Sequence, residues 1–216
     1  MILIPVKNLQ NAKQRLAAIL DQSSRTALAH AMIQDVCDAV AACRNRPEVA
    51  VVTNDDFASD LARQFDFQII RDRNVSETDA IETATAFCQS KGAQSTLVIP
   101  GDIPLIQAQE LEQIFASAPE TGTVLVPAAD GRGTNAAFRK PGNLFPLRFG
   151  NDSFKPHLQS ARATGAECII LRLPGIALDV DNPGDLQQLV DAPGTTRAQC
   201  LARNWNLRDY PLAANE

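Results

Sequence analysis

The sequence alternates short apolar runs with longer amphipathic segments, and this alternation limits the possible folds more than any other feature. In the first long segment, Leu28, Met32, Val36 and Val40 recur at helical spacing. Further helices are predicted at 56–65, 77–90, 107–117, 153–164 and 182–190. Eight runs rich in β-branched residues predict strands at 1–6, 49–53, 67–70, 96–99, 123–126, 135–139, 168–171 and 176–180.

The run at 96–99 is apolar on both faces, as expected of a strand buried in a parallel sheet. Strands that alternate with helices join through right-handed crossovers. We therefore predict a single α/β domain over residues 1–190, with a mainly parallel mixed sheet flanked by helices in a Rossmann-like arrangement. Residues 191–216 are predicted to form a tail that packs on this body or on a partner subunit, because large aromatic residues such as Trp205 and Tyr210 rarely occur in disordered tails. A homodimer formed through this tail is a further hypothesis.

Charge and cysteine content narrow the class of protein. The chain has 20 basic and 25 acidic residues, a net charge of −5, which argues against nucleic acid as a partner. The apolar run at 1–6 contains Pro5 and ends at Lys7, so it is too short for a signal segment or a membrane-spanning helix. Five cysteines without a C-x-x-C pair predict reduced thiols and a cytoplasmic location.

One apparent motif is rejected on its context. Residues 131–136 match the dinucleotide pattern G-x-G-x-x-A, but that pattern should follow the first strand and open a helix. Here it lies late in the chain and runs into a predicted strand. His30 lies off the apolar stripe of its helix and is predicted to be exposed to solvent.

Two carboxylate-bearing segments follow predicted strands. Asp102 comes directly after the run at 96–99, and ligands of open α/β sheets bind at such carboxyl ends. Asp179 and Asp181 would share one face of the predicted strand at 176–180. Three such carboxylates predict a Mg²⁺ site completed by phosphates. The alternatives are an Asx turn at Asp102 and a helix cap at Asp181 or Asn182, ahead of Pro183.

Basic residues cluster after the first strand of this acidic chain. Lys7, Lys13 and Arg15 suit a triphosphate, for which lysine offers a point charge and arginine a fork of donors. A solvated helix start is the alternative for each of them.

The loop at 149–157 contains Gly150 and leads into a predicted helix with Ser153 as its N-cap. A helix N-terminus offers free N–H groups to an anion, and Lys155 and His157 could add positive charge. Asp152 opposes this interpretation unless it points away or binds metal, and simple capping is the alternative.

Five segments occur in a fixed order: 4–7 (IPVK) with 12–16 (AKQRL), 100–104 (PGDIP), 133–135 (GTN), 149–157 (FGNDSFKPH) and 177–181 (ALDVD). Across residues 2–190 this ordered set resembles the CofC/FbiD guanylyltransferases of coenzyme F-420 biosynthesis. The resemblance implies a nucleotidyltransferase fold similar to nucleotide-diphospho-sugar transferases and molybdenum-cofactor guanylyltransferases. It also implies transfer of GMP from GTP to 2-phospho-L-lactate, phosphoenolpyruvate or 3-phospho-D-glycerate.

The resemblance carries residue roles to matching positions. It implies that the metal ligands are Asp102, Asp179 and Asp181, that Lys13 contacts the triphosphate with Lys7 and Arg15 nearby, and that the acid carboxylate is held by Thr134, Gly150 and Ser153. Catalysis would rest on Lys13 and Asp102, with Mg²⁺ as cofactor and GTP as co-substrate. Residues 74–80 depart from a Leu-Asn-containing family segment. A different acceptor, such as a sugar phosphate or cofactor precursor, and a non-catalytic nucleotide-binding regulator therefore stay open.

Overall fold

The computed structural model describes residues 1–72, 76–150 and 152–205. Within them the strands are β1 (Ile2–Val6), β2 (Val49–Thr53), β3 (Gln68–Arg71), β4 (Thr96–Val98), β5 (Gly122–Pro127), β6 (Thr134–Lys140) and β7 (Glu167–Ile170). The helices are α1 (Gln22–Ala42), α2 (Asp56–Gln64), α3 (Glu77–Ser90), α4 (Ala108–Ala116), α5 (Phe154–Ala163), α6 (Pro174–Ala177), α7 (Pro183–Asp191) and α8 (Arg197–Arg203).

The strands form one sheet in the order β3-β2-β1-β4-β6-β5-β7. Strand β6 runs antiparallel to both of its neighbours, whereas every other pair is parallel. The predicted mainly parallel mixed sheet is therefore confirmed. The reversal of β6 has a direct consequence for the site. Its first residue, Thr134, lies at the edge of the sheet where β1 and β4 end.

Apolar side chains cover both faces of the sheet. Ile2 and Ile4 of β1 pack on one face, in a buried cluster that includes residues of α1, α2 and α4. Leu3 points to the other face and packs in a cluster with Ile81 of α3 and Ala161 of α5. Strands that are buried on both faces appear in the sequence as continuous apolar runs. The sequence therefore predicts such strands within about two residues of their observed bounds.

The described part of the segment after residue 191 packs on the body of its own chain. Ala198 and Ala202 of α8 lie fully buried in a cluster with Met32 of α1. The carboxylate of Asp35 on α1 accepts the N–H groups of Arg197 and Ala198, both at 2.9 Å, at the start of α8. Trp205 packs against the same cluster. Tyr210 lies outside the described residues.

The predicted strand at 176–180 is wrong. Residues Pro174–Ala177 form the single helical turn α6 instead. Pro174 stands at the start of this turn, where proline is favoured, and the Gly175 N–H donates to Glu110 Oε1 at 2.7 Å. A Cβ on Gly175 would lie 2.3 Å from the Leu105 carbonyl oxygen, so only glycine fits there. Proline and a close tertiary contact therefore outweigh the β-branched composition of the run in determining its backbone conformation.

The structure also bears on the sequence predictions for the cysteines and for His30. All five cysteines are free thiols. His30, predicted to be exposed, is half-buried and stacks on Phe57 with ring centroids 3.7 Å apart. Across the described ranges no helix combines the length and apolarity needed to cross a membrane.

Candidate active site

Two adjoining cavities open at the carboxyl ends of β1 and β4. The first, of about 310 Å³, lies beside the loop after β1 and is lined by Lys7 and Lys13. The second, of about 470 Å³, extends past the start of β6 toward α5. Glu77 and Asp102 line both cavities, so the two form one continuous cleft.

Lys13 is the centre of the charged part of this cleft. Its side chain is 7% exposed, and its Nζ donates to Asp102 Oδ2 at 2.7 Å and to Asp181 Oδ1 at 2.8 Å. Burial alone would lower the pKa of Lys13, but the two carboxylates raise it above its ordinary value. Lys13 is therefore a fixed positive charge. Its backbone is left-handed, with φ at 56°, which directs this loop residue into the cleft.

The structure separates two alternatives for the segment after α6. Asn182, not Asp181, caps α7, because its Oδ1 accepts the N–H groups of Gly184 and Asp185 at 2.8 and 3.1 Å. The Asp181 carboxylate is therefore available to Lys13. Burial would raise the pKa of Asp181, but Lys13 and, to a lesser degree, Arg15 lower it below its ordinary value.

The backbone joins this segment to the turn after β4. The Val180 N–H donates to the Asp102 carbonyl oxygen at 3.1 Å. This single bond brings Asp102 near Asp179 and Asp181 although the residues are far apart in sequence. The expectation that the carboxylates meet thus survives, although the strand used to predict it does not form.

Asp179 is held in a different way. Its Oδ1 accepts from Asn135 Nδ2 at 2.9 Å, and the same amide donates to the carbonyl oxygens of Ile176 and Ala177. Burial raises the pKa of Asp179, and the Asn135 hydrogen bond opposes that rise. Asn135 fixes this carboxylate without neutralising its charge.

The described residues contain no ready-made group of three or more histidine, cysteine or acidic side chains spaced to hold a metal ion. Lys13 lies between two of the three aspartates instead. The donor chemistry nevertheless fits Mg²⁺, which takes one or two protein carboxylates and fills its other positions with water and phosphate oxygens. Asp102 and Asp181 are 30% and 41% exposed, so both remain accessible from the cleft.

The other two basic residues of the first loop differ in placement. Arg15 is 64% exposed, and its Nη1 lies 3.7 Å from Asp181 Oδ2, at the rim of the charged cluster. Lys7 lines the first cavity but donates instead to Asp72 Oδ2 at 2.6 Å. The structure thus brings Arg15 close to Lys13 and Asp181, whereas Lys7 belongs to a separate ion pair.

The second cavity has charged and neutral sections. Its lining includes Asp102, Asp179 and Asp181, whereas a section of neutral polar groups, the neutral cavity, lies around Thr134, Gly150 and Ser153. The Thr134 N–H donates to Ser153 Oγ at 3.1 Å, and both residues are buried. Gly150 lines the same cavity with φ at 137°, a backbone that favours glycine. The three residues expected to face the acid therefore lie together. Ser153 stands at the N-cap position but makes no capping bond, because its oxygen accepts from Thr134 instead.

The expected positive charge on His157 is absent. Burial, followed by the nearby Arg139 cation, lowers the pKa of His157 to about 4, so the ring is neutral near pH 7. Lys155 is exposed and does not line the cavity. Asp152 pairs with Arg132, with Arg132 Nη2 3.2 Å from Asp152 Oδ2, so its charge is balanced outside α5.

Sequence reasoning missed three residues of this cleft. Asn135 anchors Asp179, and Arg132 pairs with Asp152 at the rim of the second cavity. Glu77 starts α3, and burial together with Asp102 raises its pKa to about 7. The sequence predicts Asn135 only as a strand residue. The G-R-G-T-N segment that contains it is the feature that could have marked it as a residue of the cleft. No local pattern marks the burial of Glu77.

The sheet order and the carboxylate-lined cleft define an open α/β fold with a ligand site at the carboxyl ends of its strands. A nucleotide-diphospho-sugar transferase from Desulfovibrio desulfuricans G20 superposes with a TM-score of 0.80, covering 97% of this chain and 96% of that chain at 17% identity. At that identity the likeness shows the fold alone. The chain belongs to the family described as "Guanylyl transferase CofC like", which matches residues 1–205.

Relatives with assigned names agree with this family. A phosphoenolpyruvate guanylyltransferase from Roseiflexus castenholzii is 34% identical, covering 95% of each chain. A 3-phospho-D-glycerate guanylyltransferase from Colwellia psychrerythraea is 31% identical, covering 94% of this chain and 97% of its own. The family resemblance stated from the sequence is confirmed, and the protein is a nucleotidyltransferase.

Proposed function

We propose that this protein transfers GMP from GTP to the phosphate of a small phosphorylated carboxylic acid and releases pyrophosphate, as a step in coenzyme F-420 biosynthesis. The names of its relatives support phosphoenolpyruvate or 3-phospho-D-glycerate as the acid. The observation that carries the proposal is the continuous cleft, in which the charged groups around Lys13, the charged cavity, adjoin the neutral cavity around Thr134.

The charged cavity suits the triphosphate. Lys13 supplies a fixed positive charge, and Arg15 adds a mobile cation at the rim. Lys7 lines the same cavity while paired with Asp72. Charge neutralisation is what this reaction requires, since two anions must approach each other and a third must depart.

Mg²⁺ would be held by Asp102 and Asp181, with Asp179 beside them. When bound, the ion supplies Lewis-acid stabilisation of the phosphates. Because Lys13 contacts the same two carboxylates, Lys13 and the ion would share them on binding.

The neutral cavity suits the acid. Thr134, Gly150 and Ser153 would hold its carboxylate and align its phosphate. A phosphate oxygen then forms a bond to the α-phosphorus of GTP, and the bond from that phosphorus to the bridging oxygen of the pyrophosphate breaks. The nucleophile is already an anion near pH 7, so no general base is needed. The neutral state of His157 is consistent with this chemistry.

A different acceptor is the second candidate. The unusual 74–80 segment contains Glu77, which lines both cavities, and an added carboxyl group there would alter the preference for an anionic acid. We extend the proposal to a cytoplasmic location, which the free thiols support. The homodimer through the tail stays a prediction, and sedimentation of a chain truncated at residue 191 would test it.

The deciding assay is pyrophosphate release with Mg²⁺, crossing GTP, ATP, CTP and UTP with phosphoenolpyruvate, 2-phospho-L-lactate and 3-phospho-D-glycerate. We expect release with GTP and one of the three acids. A sugar phosphate is included as a fourth acceptor, and release with it alone would support the second candidate. Nucleotide binding without release for any acceptor, from protein shown to be folded by circular dichroism, would indicate a non-catalytic regulator.

A further inference from the structure

His157 is almost completely buried, at 1% exposed, between two hydrogen-bonding groups. Its Nε2 lies 2.8 Å from the backbone nitrogen of Arg148, and its Nδ1 lies 2.9 Å from Thr134 Oγ1. The ring thus connects the 141–149 loop to Thr134, the first residue of β6, which lines the second cavity.

These two contacts fix where the ring carries its proton. A backbone N–H can only donate, so Nε2 must be the unprotonated acceptor of the bond from Arg148. In a neutral imidazole the proton is then on Nδ1, which donates to the Thr134 oxygen. A protonated ring would place an Nε2–H against the Arg148 N–H, which opposes protonation.

The surroundings keep the ring neutral. Arg139 is buried at 3% exposed, and its guanidinium donates to the Phe145 carbonyl oxygen and to the hydroxyl oxygens of Thr85 and Thr96. This buried cation has no carboxylate bonded to it among the described residues and repels a second positive charge on His157. Phe149 packs edge-on against the ring, with centroids 5.1 Å apart.

The consequence falls on the Thr134 hydroxyl. Its oxygen accepts the proton of His157 Nδ1, and within the described ranges no protein oxygen accepts the hydroxyl proton of Thr134. Thr134 lines the cavity proposed to hold the acid. A hydroxyl that is engaged as an acceptor on one side is left as a donor on the other.

We propose that His157 is a positioning residue that fixes the Thr134 hydroxyl as a hydrogen-bond donor toward the carboxylate of the acceptor. The inference rests on the proposed function, because it needs an anionic acceptor in the neutral cavity. His157 neither touches the acceptor nor moves a proton during the reaction. It restricts the Thr134 hydroxyl to one orientation before the acid binds.

Two substitutions separate this role from a general structural one. In His157→Asn the side-chain amide can occupy the place of Nδ1 and still donate to Thr134. In His157→Gln the amide reaches the place of Nε2, so it can accept from Arg148 but cannot donate to Thr134. We expect His157→Gln to raise the KM for the acid by about tenfold, the scale of one hydrogen bond to a charged group. His157→Asn should stay within about threefold of wild type, with the KM for GTP unchanged in both.

A double-mutant cycle sharpens the test. Thr134→Val removes the hydroxyl, so adding His157→Gln to it should raise the KM for the acid no further. Thr134→Ser keeps the hydroxyl and should remain sensitive to His157→Gln. Equal losses in the Asn and Gln variants, additive effects with Thr134→Val, or a matching rise in the KM for GTP would overturn the role. His30→Gln is the control, because His30 lies outside the neutral cavity.

Nuclear magnetic resonance of the unliganded protein tests the hydrogen bond without catalysis. Nitrogen-15 shifts of His157 should show a protonated Nδ1 and an unprotonated Nε2 at pH 7. The opposite tautomer would overturn the inference even if the enzyme is active. Conversely, the expected tautomer in a protein that turns over no acid would place the failure in the proposed function. Should His157→Gln fail to fold, the tautomer of His157 in the wild-type protein still decides the inference, since it reports the hydrogen bond to Thr134 directly.

Discussion

The two parts of the cleft are held together by different forces. In the charged part, Lys13 bridges Asp102 and Asp181 through ion pairs at 2.7 and 2.8 Å. In the neutral part, Thr134 is fixed by the Ser153 oxygen and the His157 ring through hydrogen bonds between uncharged groups. Both arrangements lie at the same edge of the sheet, on either side of the start of β6.

This difference separates a part that a ligand can rearrange from a part that is preorganised. Ion pairs of partly exposed carboxylates can exchange partners when phosphates and a cation enter the cleft. Buried hydrogen bonds between neutral groups lose stability when broken, because a polar group is left unsatisfied. We therefore expect the charged part to determine turnover and the neutral part to determine the affinity and orientation of the acid.

The largest expected effect follows from removing a carboxylate from the charged part of the cleft. Asp102→Asn should lower kcat by at least ~100-fold, since the amide cannot balance Lys13 or hold a cation among phosphates. Asp60→Asn is the matched control, because Asp60 is 68% exposed on α2 and far from the cleft. Steady-state pyrophosphate release would measure both. A near wild-type rate in Asp102→Asn would remove Asp102 from the catalytic machinery.

The next effect is on the stability of the folded protein at low pH, to which His157 beside the neutral part contributes. The pKa of His157 is about 4 in the folded chain against about 6.5 unfolded, so the unfolded state binds more protons between these values. Its contribution is therefore complete above pH 6.5 and is lost as the pH falls toward 4. The loss between pH 7 and pH 5 should be about 2 kcal/mol.

Chemical denaturation of wild type and His157→Gln at pH 7 and pH 5 would measure this loss. Other titrating groups cancel in the comparison of the two proteins, so the wild type should lose more stability than the variant on acidification. Parallel losses in both proteins would show that the ring is not held neutral by its surroundings.

A smaller effect should appear at Ser153. Ser153→Ala removes the acceptor of the Thr134 N–H and a hydroxyl of the neutral cavity, so the KM for the acid should rise by about tenfold. The KM for GTP should hardly change. Initial rates with each substrate varied in turn would separate the two. An equal rise in both constants would mean that the two parts of the cleft are not distinct.

The smallest effect is expected at Arg15. Its guanidinium is 64% exposed and lies 3.7 Å from Asp181, a geometry that contributes little in water. Arg15→Gln should lower kcat/KM for GTP less than threefold at physiological salt, and more at low salt because screening weakens. A loss as large as that of Asp102→Asn would place Arg15 beside Lys13 at the centre of the charged part.

Periodicity identified most helices and strands because each has a local cause. Strands β1, β2 and β4 are apolar on both faces, and α2 and α3 are capped by Asp55 and Ser76, whose side chains accept N–H groups of the first turn. The prediction failed at 176–180, where the contact of Gly175 with Leu105 and Glu110 decides the backbone. Such a contact depends on α4, which lies more than 60 residues earlier in the sequence.

The sequence by itself determined the alternation of strands and helices, and with it the edge of the sheet where Asp102 and the first loop must lie. Only the tertiary structure decided how the side chains at that edge are paired and protonated. Lys13 bonds two carboxylates that are 89 and 168 positions away, and the charge state of His157 depends first on its burial and then on Arg139. Local patterns encode backbone periodicity, whereas burial and the distance between charges exist only once separate elements have packed together.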